Sequence, residues 1–432
     1  MRPHRLPLTA AIVGTVALAW SALAAAPDAP AAATTADPAL VQRGAVLASL
    51  GDCIVCHTTP EGRAYAGGRA LHTPFGLIYG TNITPDVDTG IGRYTEADFV
   101  RAMRQGLGRD GRQLYPAFPY EHFRYITDDD LHALYAFIMT REAVAARTPE
   151  NDLRFPYNVR ALIAAWKLMF LRDPERSAGG QPNVMSDRGA YLVAGLGHCG
   201  ACHTPRNWLG GEQRQRSLSG GDAEGWHAPA LEASTRVAVP WTVDTLVSYL
   251  RGNVVPDHEV AGGPMLPVVR NLSGVPEEEV RAIASYIVSL QKPAADATQP
   301  PREPGAQANA AATARGSGNE GPLASEPGAV IWRGACAGCH GPGRDIPEGA
   351  LRLGLSTTAR AATARNFVQI VLQGIQPPDG EPGAWMPSFA GSFTDAQLAD
   401  LANYVRARFG GGPAWQDVEG VVKNVRRNPE GP

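Results

Sequence analysis

The sequence predicts an all-α protein with three small helical domains in tandem and long loops between the helices. Three observations support this expectation. The pattern Cys-x-x-Cys-His occurs three times, at intervals comparable to the length of a small domain. Each copy is preceded by one segment and followed by two segments in which apolar residues recur at helical spacing. The chain contains 48 glycines and 36 prolines, residues that favour loops over regular structure.

The three motifs are the clearest chemical signal in the chain, and they use all six of its cysteines. Cys-x-x-Cys-His is the attachment pattern of c-type haem, in which two thiols bond to the haem vinyl groups and the histidine binds the iron. A zinc site would need a fourth ligand at a recurring offset, and a redox dithiol has no use for the histidine. We therefore expect three covalently bound haem c groups. The attaching cysteines are Cys53, Cys56, Cys199, Cys202, Cys336 and Cys339, and the proximal iron ligands are His57, His203 and His340.

The motifs divide the chain into three repeats, each of which we expect to fold as one domain. The first repeat spans residues 38–142, the second 186–291 and the third 323–412. A connector, 143–185, joins the first two repeats. Residues 292–322 are rich in Ala, Pro, Gly and Gln, a composition that predicts a flexible linker to the third repeat. Residues 413–432 form a tail.

Three helices are expected in each repeat, in the same order. A leading helix precedes the motif at 38–50, 187–196 and 327–334. A middle helix follows the loop after the motif at 95–105, 242–251 and 363–373. A last helix is expected at 127–139, 276–290 and 394–409, with acidic residues in its first turn. Thr127 and Thr394 are suitable N-caps, and Pro276 suits a first helical position. This order is the layout of a small class I cytochrome c domain.

The sixth iron ligand should lie in the loop between the middle and last helices, where methionine or histidine is the usual choice. In the third repeat this loop contains Met386, followed directly by proline, and in the second repeat it contains Met265. We expect both to be distal ligands. Thr204 and Pro205, which follow the second motif, are expected to orient His203 through a backbone carbonyl.

The first repeat departs from this pattern. At nearly the interval that separates Met265 from His203, it has Phe118, which cannot bind iron. Met103 is one candidate, because it occupies the middle-helix position held by Leu250 and Val371 in the other repeats, although a core role would suit it equally. His122, four residues after Phe118, is the rival. A five-coordinate haem, or a ligand from elsewhere, is the third alternative.

Several motifs resemble those of one known family. They are 73–76 (Thr-Pro-Phe-Gly), 82–86 (Asn-Ile-Thr-Pro-Asp), 90–92 (Gly-Ile-Gly) and the long stretch 197–207 around the second haem motif. Over nearly the whole chain, the sequence resembles the triheme cytochrome c subunits of bacterial periplasmic dehydrogenases, such as alcohol and gluconate dehydrogenases. Those subunits carry methionine in a Pro-Ala-Met-Pro-Tyr stretch, where this chain has Phe118. The phenylalanine version is similar to subunits that accompany molybdenum hydroxylases of the xanthine dehydrogenase type. That version also carries an Ala-Met-Arg like 102–104, which favours Met103 as the ligand.

The N-terminus predicts export. Arg2 and Arg5 precede a mostly apolar run from Leu8 to Leu23, and 22–24 offers a small-x-small cleavage site, so residues 1–25 are expected to be a signal peptide. An uncleaved anchor is the alternative, although the run is short for a membrane span. A periplasmic location agrees with the haem motifs, and attachment to the outer face of the inner membrane remains open. A net charge of −3 gives no indication of nucleic-acid binding.

These observations lead to an expected function. The chain shows no nucleophile–base pair and no nucleotide-binding loop, so we expect an electron-transfer subunit rather than an enzyme. It would receive electrons from a catalytic dehydrogenase subunit, with a molybdenum hydroxylase favoured, and pass them to quinone, a terminal oxidase or another cytochrome. One alternative is the same relay serving a quinoprotein alcohol dehydrogenase or a flavoprotein gluconate-type dehydrogenase. Another is an enzyme or ligand sensor that uses an open first haem.

Overall fold

The computed structural model describes residues 37–171, 187–235, 237–255, 257–258, 260–291, 321–341, 351–377 and 385–428. The predicted signal peptide and most of the predicted linker lie outside these residues. Within them, no helix is long and apolar enough to cross a membrane.

The predicted leading, middle and last helices are present in every repeat, close to their expected bounds. The leading helices are Pro38–Leu50, Arg188–Ala194 and Pro327–Ala335. The middle helices are Glu96–Gln105, Val243–Leu250 and Arg365–Gln373. The last helices are Asp128–Met139, Glu277–Leu290 and Asp395–Val405, the third continuing into a π-helical turn, Arg406–Gly410.

Further helices are shorter or lie outside the predicted set. Single turns form at Cys53–Cys56, Tyr120–Phe123, Gly200–His203, Ala337–His340 and Thr357–Arg360. Longer additions are Leu162–Phe170 in the connector, Met265–Ser273 in the second repeat and Val418–Arg427 in the tail. Short 3-10 turns occur at Arg214–Arg216, Gly321–Ser325 and Leu353–Leu355.

Hydroxyl caps mark the start of two of the three last helices. Thr127 and Thr394 act as N-caps, as predicted, because their side chains accept from the backbone N–H of Asp130 and Gln397. Pro276 is also the N-cap residue of its helix, with extended backbone, rather than the first helical residue that we expected. The helix therefore starts one residue later, at Glu277.

Short β-strands interrupt the predicted all-α architecture. Strands β1 (Ala70–Thr73) and β2 (Gly76–Tyr79) form an antiparallel hairpin that pairs Ala70 with Tyr79, and β3 (Asp152–Leu153) from the connector joins the other edge of β2. Strands β4 (Gly221–Ala223) and β5 (Trp226–Ala228) form a second hairpin. The fold is therefore mainly helical, with a hairpin after each of the first two haem motifs.

A tight turn explains the second hairpin. Glu224 and Gly225 connect β4 and β5, and both have positive φ, 47° and 77°. A two-residue loop of this kind matches the right-handed twist of the paired strands. Strands of three residues are too short to show an alternating pattern, so the sequence indicated only a loop.

The buried side chains form two main clusters. One cluster extends through the first and second repeats without a break, from Leu47 in one leading helix to Leu192 in the next. The other belongs to the third repeat and includes Val418, Val422 and Val425 from the tail helix. The tail is thus part of the core of the third repeat.

One close helix contact recurs in all three repeats. A glycine of the leading helix lies directly against a backbone carbonyl of the last helix, so that a Cβ at that position would clash with it. The pairs are Gly44 with Ala133, Gly189 with Ala282 and Gly328 with Asp400. Close approach of two backbones is a physical reason for glycine in a helix, despite its cost in helix propensity.

A pair of substitutions in one helix tests this contact. We expect Gly328→Ala to lower the free energy of unfolding by about 2 kcal/mol, because the added methyl group forces two packed helices apart. Gly334→Ala, in the same helix, is the matched control: nothing lies within 4 Å of its Cβ, so the better helix propensity of alanine should stabilise by up to about 1 kcal/mol. Chemical denaturation of both variants checks the prediction, and equal effects would contradict the close-contact account.

Candidate haem-attachment sites

Each Cys-x-x-Cys-His motif folds into one helical turn after the leading helix. The backbone N–H of the histidine donates to the backbone carbonyl of the first cysteine and so closes the turn. The N···O distances are 3.2 Å for His57, 2.9 Å for His203 and 2.9 Å for His340. Residues three and four positions apart share one face of a helix. The two thiols and the imidazole of each motif are therefore presented to the same side, as attachment of one haem requires.

The three predicted proximal histidines share one hydrogen bond that the sequence did not reveal. In each, Nδ1 lies against a backbone carbonyl oxygen. The pairs are His57 with Thr81 at 2.6 Å, His203 with Pro229 at 2.6 Å and His340 with Leu351 at 2.9 Å. A carbonyl can only accept, so Nδ1 carries the proton, and Nε2 of the neutral ring keeps the lone pair that an iron ligand needs.

The hairpins bring these carbonyls into place in the first two repeats. The N–H of Gly67 donates to the carbonyl of His57, and the N–H of Gly220 donates to that of His203, both at 2.8 Å. The chain then runs through a hairpin and returns to Thr81 or Pro229. The expectation that Thr204 or Pro205 would orient His203 is wrong, because the hairpin places Pro229 there instead.

Glycines allow the hairpins to approach the attachment turns. A Cβ at Gly80 would clash with the carbonyl of Cys56, and one at Gly221 would clash with the carbonyl of Cys202. The carbonyls that accept from His57 and His203 are backbone groups, so no side-chain pattern in the sequence indicates them. Gly80 and Gly221 are the residues that mark the close approach of the hairpins.

The cysteine environment does not suit a redox dithiol. All six cysteines lie in the described residues, and none is in a disulfide. Burial raises the pKa of the thiols of Cys53, Cys56 and Cys199 to about 12, and that of Cys202 and Cys336 to about 11. A redox-active cysteine needs a lowered pKa.

Met265 and Met386 are both partly buried against apolar clusters. Met265 is the first residue of helix Met265–Ser273 and packs against the cluster shared by the first two repeats. Met386 packs against the cluster of the third repeat, and its backbone forms a two-way bridge with Ile375, with N···O distances of 2.7 and 2.9 Å. The bridge holds Met386 beside the end of the middle helix.

The candidates of the first repeat lie in different environments. Met103 is only 6% exposed and belongs to the shared apolar cluster, against which Cys53 and Phe118 also pack. His122 is held between the first two repeats: its Nδ1 lies 2.8 Å from the carbonyl oxygen of Ala194, and its Nε2 lies 2.8 Å from Oε1 of Glu212.

The protonation of His122 follows from its two partners. Burial alone would lower the pKa of His122, but the hydrogen bond and charge of Glu212 outweigh burial and raise it. The same pair lowers the pKa of Glu212 below its ordinary value, against the effect of burial. Both partners accept hydrogen bonds, so both ring nitrogens donate, and neither has a lone pair available for iron.

The residues present fit a covalently attached haem. Each attachment turn offers two thiols, together with a histidine whose Nε2 is unprotonated. In addition, Tyr120 is fully buried beside Phe118, and its hydroxyl has no hydrogen-bond partner among the described residues. Such a buried polar atom calls for a partner that these residues do not supply.

Sequence comparisons agree with this geometry. The family described as "Cytochrome c" matches residues 41–142, and "Cytochrome C oxidase, cbb3-type, subunit III" matches 324–405. One relative, a nicotinate dehydrogenase subunit of Pseudomonas putida, is 44% identical over 417 residues, which are 96% of this chain but only 34% of that protein. The chain thus spans about a third of that relative.

Two further relatives match over most of their own length. The "Alcohol dehydrogenase (quinone), cytochrome c subunit" of Gluconacetobacter polyoxogenes is 35% identical, covering 94% of this chain and 87% of the relative. The "Gluconate 2-dehydrogenase cytochrome c subunit" of Pantoea cypripedii is 36% identical, covering 91% of each. The haem-attachment geometry and these matches lead to one conclusion: the chain belongs to the family of dehydrogenase cytochrome c subunits, which carry covalently bound haem c and transfer electrons rather than catalyse substrate oxidation.

Proposed function

We propose that this chain binds three haem c groups, one in each of three cytochrome c domains, and relays electrons in the periplasm from a molybdenum hydroxylase to quinone or the respiratory chain. The observation that carries the haem number is the proximal hydrogen bond, which recurs at His57, His203 and His340. A carbonyl that accepts from the far ring nitrogen in this way fixes the ring and raises its basicity toward iron.

The chain's own residues would set the properties of each centre. When bound, haem supplies the one-electron chemistry of its iron. Met265 and Met386 are proposed as distal ligands of the second and third haems, since a thioether raises the potential. For the first haem we propose Met103, because both ring nitrogens of His122 are occupied by the second repeat.

A molybdenum hydroxylase that oxidises an aldehyde or N-heterocycle is the favoured electron donor. Two observations support it. Phe118 stands where the family resemblance implies methionine in the alcohol and gluconate group. The relative named as a nicotinate dehydrogenase subunit also shares the higher identity, 44% against 35% and 36%. An alcohol, gluconate or similar dehydrogenase is the second candidate, favoured by the match in length, since this chain spans 87% and 91% of those relatives.

Purification from the native host tests the choice of donor. The chain is isolated from the periplasmic or membrane fraction under mild conditions, and the co-purifying complex is assayed for molybdenum, quinone cofactor and flavin. We expect molybdenum in stoichiometric amount. Quinone cofactor or flavin without molybdenum would overturn the hydroxylase assignment and make Phe118 a local variation.

A further inference from the structure

The segments that lead into the first and second attachment turns lie in contact. His198, immediately before Cys199, lies with its Nε2 3.3 Å from the carbonyl oxygen of Gly51. Asp52, immediately before Cys53, accepts a hydrogen bond from the side-chain amide of Asn271. Asn271 belongs to helix Met265–Ser273, which begins at the proposed distal ligand of the second haem. The segment before the second haem motif and the helix that begins at Met265 therefore both contact the residues directly before Cys53.

Arg69 lies at this junction and bridges the two repeats. Its Nη1 donates to the carbonyl of Val55, between the two cysteines of the first motif, at 3.1 Å. Its Nη2 donates to Oε2 of Glu224 at 3.0 Å. Glu224 is in the turn of the β4–β5 hairpin, the hairpin that leads to the carbonyl bound by His203. The side chains of Arg69 and Glu224 are only 26% and 35% exposed, so solvent screens their charges incompletely.

This ion pair lies against both attachment turns. Arg69 is bonded to the first turn through the carbonyl of Val55. Glu224 connects β4 and β5, and β4 packs closely on the second turn, since a Cβ at Gly221 would clash with the carbonyl of Cys202. One pair of opposite charges thus lies next to the places where both haems would be attached.

Given the proposed function, we propose that Arg69 is a positioning and charge-tuning residue shared by the first and second haems, and that Glu224 opposes its charge. Reduction of a haem iron adds an electron, so a nearby cation stabilises the reduced form and a nearby anion stabilises the oxidised form. Arg69 therefore raises the potentials of both haems, and Glu224 lowers them. The third repeat touches the β4–β5 hairpin through its middle helix, where the side-chain amide of Gln369 donates to the carbonyl of Gly225 at 3.5 Å, but Cys336 packs against a separate apolar cluster. We therefore expect the smallest effect at the third haem.

Spectroelectrochemical titration of the intact haem-loaded protein tests the proposal. In Arg69→Gln, two of the three one-electron steps should move to lower potential, so that at a fixed ambient potential the reduced-to-oxidised ratio of those haems falls several-fold. In Glu224→Gln, the same two steps should move to higher potential. Arg69→Lys keeps the positive charge, so the potentials of the two haems should stay close to those of the unaltered protein. Arg281→Gln is the matched control, because it removes the same charge from exposed ion pairs with Asp244 and Glu277.

The outcomes separate this inference from the proposed function. Haem content is measured first, by pyridine haemochrome, and a value other than three contradicts the proposed haem number. Opposite shifts in Arg69→Gln and Glu224→Gln, larger in two of the steps than in the third, support the proposal. Shifts of the same sign, or unchanged potentials, would mean that the ion pair only holds the two repeats together, and the proposal would be overturned.

Discussion

Met103→Leu is expected to lower the potential of one haem by tenths of a volt and leave the other two unchanged. Axial ligands set haem potentials over roughly 0.8 V, and a thioether lies toward the high end of that range. Met103 is buried in the apolar cluster of the first two repeats. Since leucine has nearly the same volume, the substitution should cost less than about 1.5 kcal/mol of stability. The expected effect is therefore on the haem and not on the fold.

Redox titration and carbon monoxide binding check this result together. The variant should gain a five-coordinate reduced haem that binds carbon monoxide, amounting to one third of the total. Met139→Leu, at the end of the last helix of the same repeat, is the control for the chemical change. Unchanged spectra and potentials in Met103→Leu would make Met103 a core residue. Rapid carbon monoxide binding by the unaltered protein would instead indicate an open first haem.

His122→Ala is expected to lower the free energy of unfolding by about 3 kcal/mol without changing the ligation of any haem. The His122 and Glu212 side chains are 11% and 10% exposed, and removal of one partner leaves the other as a buried charge. Arg206, 3.4 Å from Glu212, partly compensates the negative charge that remains on Glu212 in the variant. His132→Ala is the matched control: its pair with Glu96 is exposed, and such pairs contribute about 0–1 kcal/mol.

The destabilisation should depend on pH in a defined direction. The pKa of His122 is raised from 6.5, so its contribution is complete below about pH 6.5 and is lost as the pH rises through the raised value. The pKa of Glu212 is lowered from 4.5, so its contribution is present above pH 4.5 and is lost as the pH falls through the lowered value. Chemical denaturation of the unaltered protein and of His122→Ala across pH should show the largest difference in the free energy of unfolding between pH 4.5 and 6.5. A change in a haem spectrum with unaltered stability would restore His122 as the ligand.

Side-chain patterns predicted the helices and the attachment motifs well, because both are written in residue types at fixed spacing. The proximal hydrogen bonds could not be predicted, since their acceptors at Thr81, Pro229 and Leu351 are backbone carbonyls. The hairpins that deliver two of these carbonyls are also too short to show an alternating pattern.

The hydrogen-bond partners of His122 could not be predicted from the sequence for a different reason. Its partners, Ala194 and Glu212, lie in another repeat, so only the packing of the first repeat on the second brings them together. Within its own loop, His122 looked like a residue free to bind iron. Arg69 is a similar case, since its role depends on Glu224, far along the chain.

The mass of the intact mature protein, isolated from cells that attach c-type haem, measures the number of haems without an assumption about ligands or partners. We expect a single species with three covalently bound haems, and proteolytic peptides that contain Cys53–Cys56, Cys199–Cys202 and Cys336–Cys339 and are each modified once. A fully matured protein with two haems or fewer, or with unmodified thiols in any of these peptides, would contradict it.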